Sequence, residues 1–460
     1  MKWITAVFAA AALLLVTRVA AAIDDPSLEW WTVESKHFRV TYPHTLEDAA
    51  ERVAILSEAI HERLVPGMQF SPDEKTEILL TDDTEGANGS APPVPYNTIR
   101  LFLTSPDDVS TLGDYDDWLL GLITHEYTHI LHTGNISGLA NVANQLIGKT
   151  LSPNSAQPRW IIEGLAVVFE SEYATGGRIR SSLFDAWLRA DVLEDNIARL
   201  DQISSGAERW PYGNLFYLYG SRFLRWVTDI YGPETMPAVS ADYGAATIPF
   251  AINRAIRRVT GRTYEDLYDA WVEHIKRHYK KQAADVDARG RREGARLTFG
   301  GREATYARFV PPPLRKDPNA LEIIFHRDDF VRTPGLHRMA VGDPTKAFER
   351  DLDLEVRTSS DAYAAFTPGG DLVFYDRGAY RNTYMRNDLF EVARGEKATD
   401  GTESSRRRLT EGLRATYPDV SPDGSRVVFC VNSKGTTTLA IADRAKSGEL
   451  SRVRPLAGGD

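Results

Sequence analysis

The chain has a single cysteine, Cys430, in 460 residues, so no intramolecular disulfide can form and a disulfide-stapled scaffold is excluded. Positive charge is also short: 54 Lys and Arg stand against 64 Asp and Glu, a net charge of -10. That balance argues against nucleic acid or an anionic membrane surface as the main partner. Apolar runs are short as well. The longest, Ile4 to Val16, has 13 residues, fewer than the roughly 20 that span a bilayer as a helix. Histidine is scarce, with ten in all, which gives weight to any place where several cluster. What remains is an ordinary globular composition, 42% hydrophobic and 26% charged. A chain of this length exceeds one ordinary core, so at least two domains are expected.

The start, "MKWITAVFAAAALLLVTRVAAAIDDP", runs from a lysine through the apolar stretch to Ala20-Ala21-Ala22 and then to acidic residues. That order is the pattern of a secretory signal peptide over residues 1–22, cut after Ala22. The alternative is an uncleaved anchor. With no cysteine near Ala22, lipidation at the cut is not expected. The mature protein is expected to be exported, periplasmic or secreted from a bacterium, without stable membrane insertion. Cys430, in the apolar run "VVFCV", is expected to be a buried, inert thiol.

From Trp30 to Leu103, β-branched and aromatic runs ("WTVESKHFRVTY", "TEILLTDD", Asn97 to Leu103) alternate with the helical spacing of "LEDAAERVAILSEAIHERL". A small mixed sheet with a packed helix is expected. Residues 114–282 read as almost wholly helical, in segments separated by Gly and Pro. The polar "KKQAADVDARGRREGAR" then reads as a linker. Beyond it, "YARFVPPPLRKDPNALEIIFHRDD", "YAAFTPGGDLVFYDRG" and "YPDVSPDGSRVVFCVNSKG" share one frame: an aromatic, a Pro-containing turn, an apolar strand and a polar turn. Phe309, Phe366 and Val420 mark equivalent places in it. Repeats at that spacing suggest β-propeller blades, with a β-sandwich as the alternative. About three blades fit, whereas closed rings have about four to eight. The expectation is therefore an incomplete ring, either part of a longer protein or completed by a partner. The divisions are a signal peptide at 1–22, a first domain at 23–285, a linker at 286–297 and all-β blades at 298–460.

Chemistry concentrates in "HEYTH". Asp114 or Asp116 can cap a helix carrying Trp118, Leu119, Leu122 and Ile123, with Gly134 to end it. On that helix His125 and His129 stand at i and i+4, so both imidazoles project from one face and can share a zinc ion. Glu126, next to the first ligand, can act as general base toward an attacking water. Coincidence is the alternative, and context must decide. A metzincin continuation would place Gly and His three and six residues after the second histidine. His132 and Asn135 stand there instead. The remaining option is a glutamate from a later helix, completing a His2Glu site with one position open. Glu163, embedded in "PRWIIEGLAVVFE" among Trp160, Ile161, Ile162 and Leu165, is the candidate, because a lone buried carboxylate calls for a cation. An ion pair with Arg159 or Arg178 is the alternative. His132 is expected to be a core histidine or a support to the site in preference to a fourth ligand.

HEYTH followed by "WIIEGLAVVFE" resembles the gluzincin peptidases, the thermolysin and aminopeptidase group, and in particular a bacterial subgroup whose peptidase domain precedes TolB-like propeller repeats. Other matching stretches are "WWTVESKHFRVTYP", "ANGSAPP", "SPNSAQPRW" and "ATGGRIRS", so the resemblance covers about residues 28–282 and, more loosely, 298–460. It implies an α+β thermolysin-like domain, mostly helical in its second half, followed by an all-β partial propeller. It also implies one zinc held by His125, His129 and Glu163, with Glu126 as general base. In related enzymes a Tyr or His on a later helix stabilises the oxyanion. "RWPYGNLFYLYG" offers Tyr212, Tyr217 and Tyr219, and Tyr212 is favoured because it stands at the helix start. In this fold an edge strand above the active helix pairs with substrate backbone, a role that falls here to Asn97–Leu103. The 33 residues between His129 and Glu163 exceed the family pattern, with "GNISGLANVANQLIGKTLSPNSAQP" inserted. The insertion is expected to roof the cleft or restrict substrates. The function implied is zinc-dependent hydrolysis of peptide bonds in a peptide or protein substrate. The rival is a non-catalytic envelope binding or scaffold protein that works through a partner of its propeller, with the zinc site idle or structural.

Overall fold

The computed structural model describes residues 25–205, 209–246, 251–299, 303–329, 331–342, 352–381 and 383–458. The expected leader, 1–22, lies outside the described residues. Five strands form the first sheet: β1 (Trp30–Glu34), β2 (Phe38–Pro43), β3 (Thr76–Thr81), β4 (Gly89–Ser90) and β5 (Thr98–Phe102), in the order β1-β2-β3-β5-β4. Alternation sets its faces. Phe38, Val40 and Tyr42 of β2 and Ile78 and Leu80 of β3 point into the core, while Arg39, Thr41 and Glu77 point out. Helix α1 (Glu47–Met68) connects the parallel strands β2 and β3 and buries Ala50, Val53, Ile60 and Leu64 in the same core. One expectation is corrected here. The strand from Asn97 is not the edge, because Gly89 and Ser90 fold back antiparallel onto Leu101 and Arg100 and take that place.

Eight described helices follow or accompany this sheet beyond α1: α2 (Trp118–Thr133), α3 (Gly138–Ile147), α4 (Arg159–Tyr173), α5 (Ser182–Leu193), α6 (Leu215–Tyr231), α7 (Thr235–Gly244), α8 (Ile252–Thr260) and α9 (Tyr264–Ala288). Helix α2 lies over the sheet, with Leu119, Ile123, Tyr127 and Ile130 in the shared core. Asp117, not Asp114 or Asp116, is its N-cap, accepting from the Leu120 amide at 3.1 Å. Gly134 ends it as expected. Helices α4 and α6 cross at a glycine pair. A Cβ on Gly164 would lie 2.6 Å from the Gly220 carbonyl carbon, and one on Gly220 would strike the Trp160 carbonyl oxygen. That close approach brings the residue before Gly164 and the turn before Gly220 to a common place, and these carry Glu163 and Tyr217. Helix α9 opens with a capping box between Thr263 and Asp266 and continues to Ala288. The expected division at 285 therefore falls inside a helix. Its polar tail is rich in Lys, Gln and Ala, good helix formers, and carries the Lys281–Asp285 pair at i,i+4.

The C-terminal region is all β. Three four-stranded antiparallel sheets follow one another: β6 (Glu303–Phe309), β7 (Leu321–Asp328), β8 (Gly335–Val341) and β9 (Asp353–Arg357); β10 (Ala364–Phe366), β11 (Leu372–Tyr380), β12 (Tyr384–Val392) and β13 (Arg407–Arg408); β14 (Ala415–Val420), β15 (Arg426–Ser433), β16 (Thr436–Arg444) and β17 (Leu450–Gly458). Each keeps its strands in chain order. Phe309, Phe366 and Val420 each end the first strand of a sheet. Cys430, expected to be buried, is half-buried beside a cavity between this region and the first domain, and burial raises its thiol pKa. Among the described residues, no helix is long and apolar enough to cross a membrane.

Candidate metal centre

Helix α2 presents His125 and His129 on one face, one turn apart, with their Nε2 atoms 3.2 Å from each other. Glu163, on α4, closes the triangle: its Oε2 lies 3.6 Å from Nε2 of His125 and 3.3 Å from Nε2 of His129. Among the described residues, these three form the one group of His, Cys, Asp or Glu whose donor atoms all lie within 4.8 Å of one another. Two imidazole nitrogens and a carboxylate oxygen are a donor set that suits zinc, and three protein ligands leave a position open. Other features favour a cation here. The Nδ1 of His125 lies 3.1 Å from Oε2 of Glu170, which turns Nε2 toward the centre. The second oxygen of Glu163 faces the half-exposed Arg159 at 3.4 Å, so the expected ion pair and the expected ligand role use different oxygens of one carboxylate.

The electrostatics follow from burial and from these contacts. Burial and Arg178 oppose a proton on His125, yet the carboxylates of Glu163 and Glu170 outweigh them and raise its pKa to about 9. For Glu163, burial would raise the pKa, but the bonds from His125 and His129 reverse that and hold it well below the carboxylate range. Glu170, also pressed upward by burial, is brought down to about 2, chiefly by Arg178. Glu126 differs: it is buried, it has no hydrogen-bond partner among the described residues, and desolvation raises its pKa. A carboxylate tuned upward beside an open metal position is suited to accept a proton.

All of this opens into a cleft of about 600 Å³. Its walls are Asn88–Ala91 at the sheet edge, Thr111 to Leu122 leading into and along α2, and Arg159, Ile162, Asn214 and Tyr217 opposite. Gly89 sits directly over the base: a Cβ there would lie 2.5 Å from Oε1 of Glu126. Of the three tyrosines considered, Tyr217 lines the cleft, with its ring centroid 6.3 Å from that of His125 and its pKa raised to about 12 by burial. Tyr212 is 53% exposed and is not among the cleft residues, because it begins a one-turn 3-10 segment that precedes α6 and points to solvent. Tyr219 is committed elsewhere, donating to Asp191 at 2.5 Å. His132 is buried with an unpartnered Nδ1 and stands outside the ligand group. Of the inserted segment, only Ser155 reaches the cleft, so α3 does not roof it.

One residue important here escaped the sequence reading, and the partner considered there for Arg178 is corrected. Glu170 makes Glu163 not the lone carboxylate of its helix; its position seven residues on, in "WIIEGLAVVFE", places it on the same face two turns later. Arg178 pairs with Glu170, not with Glu163, at 2.6 Å. No signal short of the folded turn at Gly176-Gly177 would have given that partner.

No family model matches the chain. It is 26% identical over 208 residues to an uncharacterized protein of Treponema pallidum (strain Nichols), a match covering 45% of this chain and 18% of that protein. The chain thus spans less than a fifth of the relative it matches. Among solved structures, an aminopeptidase N family protein from Idiomarina loihiensis covers 84% of this chain and 69% of its own, at 14% identity and a TM-score of 0.32. TolB from Acinetobacter baumannii covers 30% of this chain and 29% of its own, at 19% identity and a TM-score of 0.21.

Proposed function

We propose that this chain is a zinc-dependent peptidase acting on a peptide or protein substrate, with a segment of β-propeller following its catalytic domain. The observation that carries the reading is Glu126, buried beside the His2Glu triangle within one cleft. A purely structural site needs no such base and is usually closed by four protein ligands. Bound at His125, His129 and Glu163, zinc would polarise the scissile carbonyl and acidify the attacking water.

The chain's own residues supply the rest. Glu126 takes the proton of the water as its oxygen attacks, and returns it to the amine nitrogen as the C–N bond breaks. Tyr217, in place of Tyr212, is positioned to donate its phenolic proton to the oxyanion that forms. The edge strand Gly89–Ser90 has an outer side on which extended substrate backbone can pair.

The test is Glu126→Gln, assayed on peptide libraries and for metal content. The variant is expected to keep about one zinc per chain and to lose at least about the 10²-fold that a positioned base supplies. Tyr217→Phe should lower kcat with zinc retained, and Tyr212→Phe should not. Hydrolysis unchanged in Glu126→Gln would refute the mechanism.

A further inference from the structure

We infer that Arg178 is a positioning residue that ties the metal ligand His125 to Tyr217 across the cleft wall; the inference rests on the zinc peptidase reading. Arg178 is only 5% exposed, and its side chain lies against Glu170, His125 and Tyr217. Its Nη2 donates to Oε2 of Glu170 at 2.6 Å, the oxygen that also takes the Nδ1–H of His125 at 3.1 Å, so Arg178 acts on His125 through that shared carboxylate and not by the 2.9 Å approach of Nη2 to Nδ1. Its Nε and backbone N–H donate to Oε1 of Glu170 at 3.3 and 3.2 Å. The flat guanidinium also covers the Tyr217 ring, 4.7 Å from its centroid.

The chain is built to put it there. After α4 ends, Gly176 and Gly177 turn it back: a Cβ on Gly176 would lie 2.6 Å from the Asp114 carbonyl oxygen, and Gly177 takes a φ of +103° with a Cβ position 2.5 Å from Oγ of Ser171. The Gly177 amide donates to the same Asp114 carbonyl at 2.6 Å. Only glycine fits both places, and the next residue lands against Glu170.

The consequence is geometric. An imidazole whose Nδ1–H is given to a carboxylate presents Nε2 to the metal. That carboxylate is useful only if it is held, and Arg178 holds both of its oxygens with a side chain and a backbone donor. The same planar group fixes the ring that faces the reacting centre. Lysine would keep the charge but could supply neither the fork nor the plate.

Arg178→Lys is the direct test, with zinc affinity by chelator competition, the visible spectrum of the Co²⁺-loaded protein, and kcat and KM on a peptide found for the parent. Zinc affinity is expected to fall about 10-fold to 100-fold, the Co²⁺ spectrum to change, and kcat to drop while KM stays near the parent's. Tyr217→Phe keeps the ring under Arg178 and should leave zinc affinity unchanged. If Arg178→Lys does not fold, Glu170→Gln is expected to give the same loss of zinc affinity. Parent-like affinity, spectrum and kcat in a folded Arg178→Lys, or parent-like affinity in Glu170→Gln where that variant is needed, would overturn the inference alone. A parent that binds no zinc would overturn the peptidase reading, and the inference with it.

Discussion

At the scale of single residues, burial and neighbouring charges move the pKa values of the site's side chains away from those they have in water. His132 shows this apart from catalysis. It is buried on α2, and desolvation lowers its pKa from 6.5 to about 3. The unfolded chain takes up a proton there below pH 6.5, while the folded chain stays neutral until about pH 3, so stability present above 6.5 is lost as pH falls between those values. Replacing His132 by Leu removes that liability. Relative to the parent, His132→Leu should gain about 1.4 kcal/mol per pH unit below 6.5, or roughly 2 kcal/mol on going from pH 7.5 to pH 5. Denaturant unfolding at the two pH values measures it; a stability difference independent of pH would show that His132 is not neutral in the fold.

At the scale of elements, the meeting that bears on the chemistry is that of β4 with α2, where Gly89 lies over Glu126. The atoms a Cβ would strike are the far end of the glutamate, so Gly89→Ala should leave the fold standing and move the base. A misplacement of about 1 Å can cost around 10²-fold in rate. Gly89→Ala is therefore expected to bind zinc as the parent does and to lose a large part of kcat. Parent-like kcat would mean that the base does not sit under β4 during turnover. The elements were unequally legible. HEYTH announced its helix and its two histidine positions, because i,i+4 spacing carries both facts locally. Glu163 stood out as a carboxylate among apolar residues. Tyr217 against Tyr212 could not be decided, because the choice depends on the α4–α6 crossing at Gly164 and Gly220, a contact between residues 56 apart in sequence. Helix α3 escaped notice because it buries none of its residues. Glu163 gained from its neighbours' burial; α3 had no core face to show.

At the scale of the whole molecule, the repeats read in the sequence meet in space. Tyr306, Tyr363 and Tyr417, the aromatics that open the three repeated frames, gather with ring centroids 5.7 to 6.1 Å apart. Asp108 of the first domain accepts from Tyr306 at 2.8 Å and from Tyr417 at 3.0 Å. The segment carrying Asp108 leads directly into Thr111–Asp117 and α2, which line the cleft. The all-β region thus braces one wall of the site. Arg414 is the main tie: it pairs with Asp82, lies 2.9 Å from Glu85, and donates to Thr104 and to the Thr84 carbonyl oxygen. Removing one partner of such a buried network costs about 3–5 kcal/mol. Arg414→Met should lower the unfolding temperature and split a single calorimetric transition into two, one for each region. A single transition at the parent temperature would show that the regions are coupled elsewhere.

The central claim is that His125, His129 and Glu163 hold a zinc ion. Elemental mass spectrometry of the purified, zinc-supplemented protein, run beside Glu163→Ala, tests it most directly. About one zinc per parent chain and a large loss in the variant are predicted; a folded parent without zinc would contradict the account.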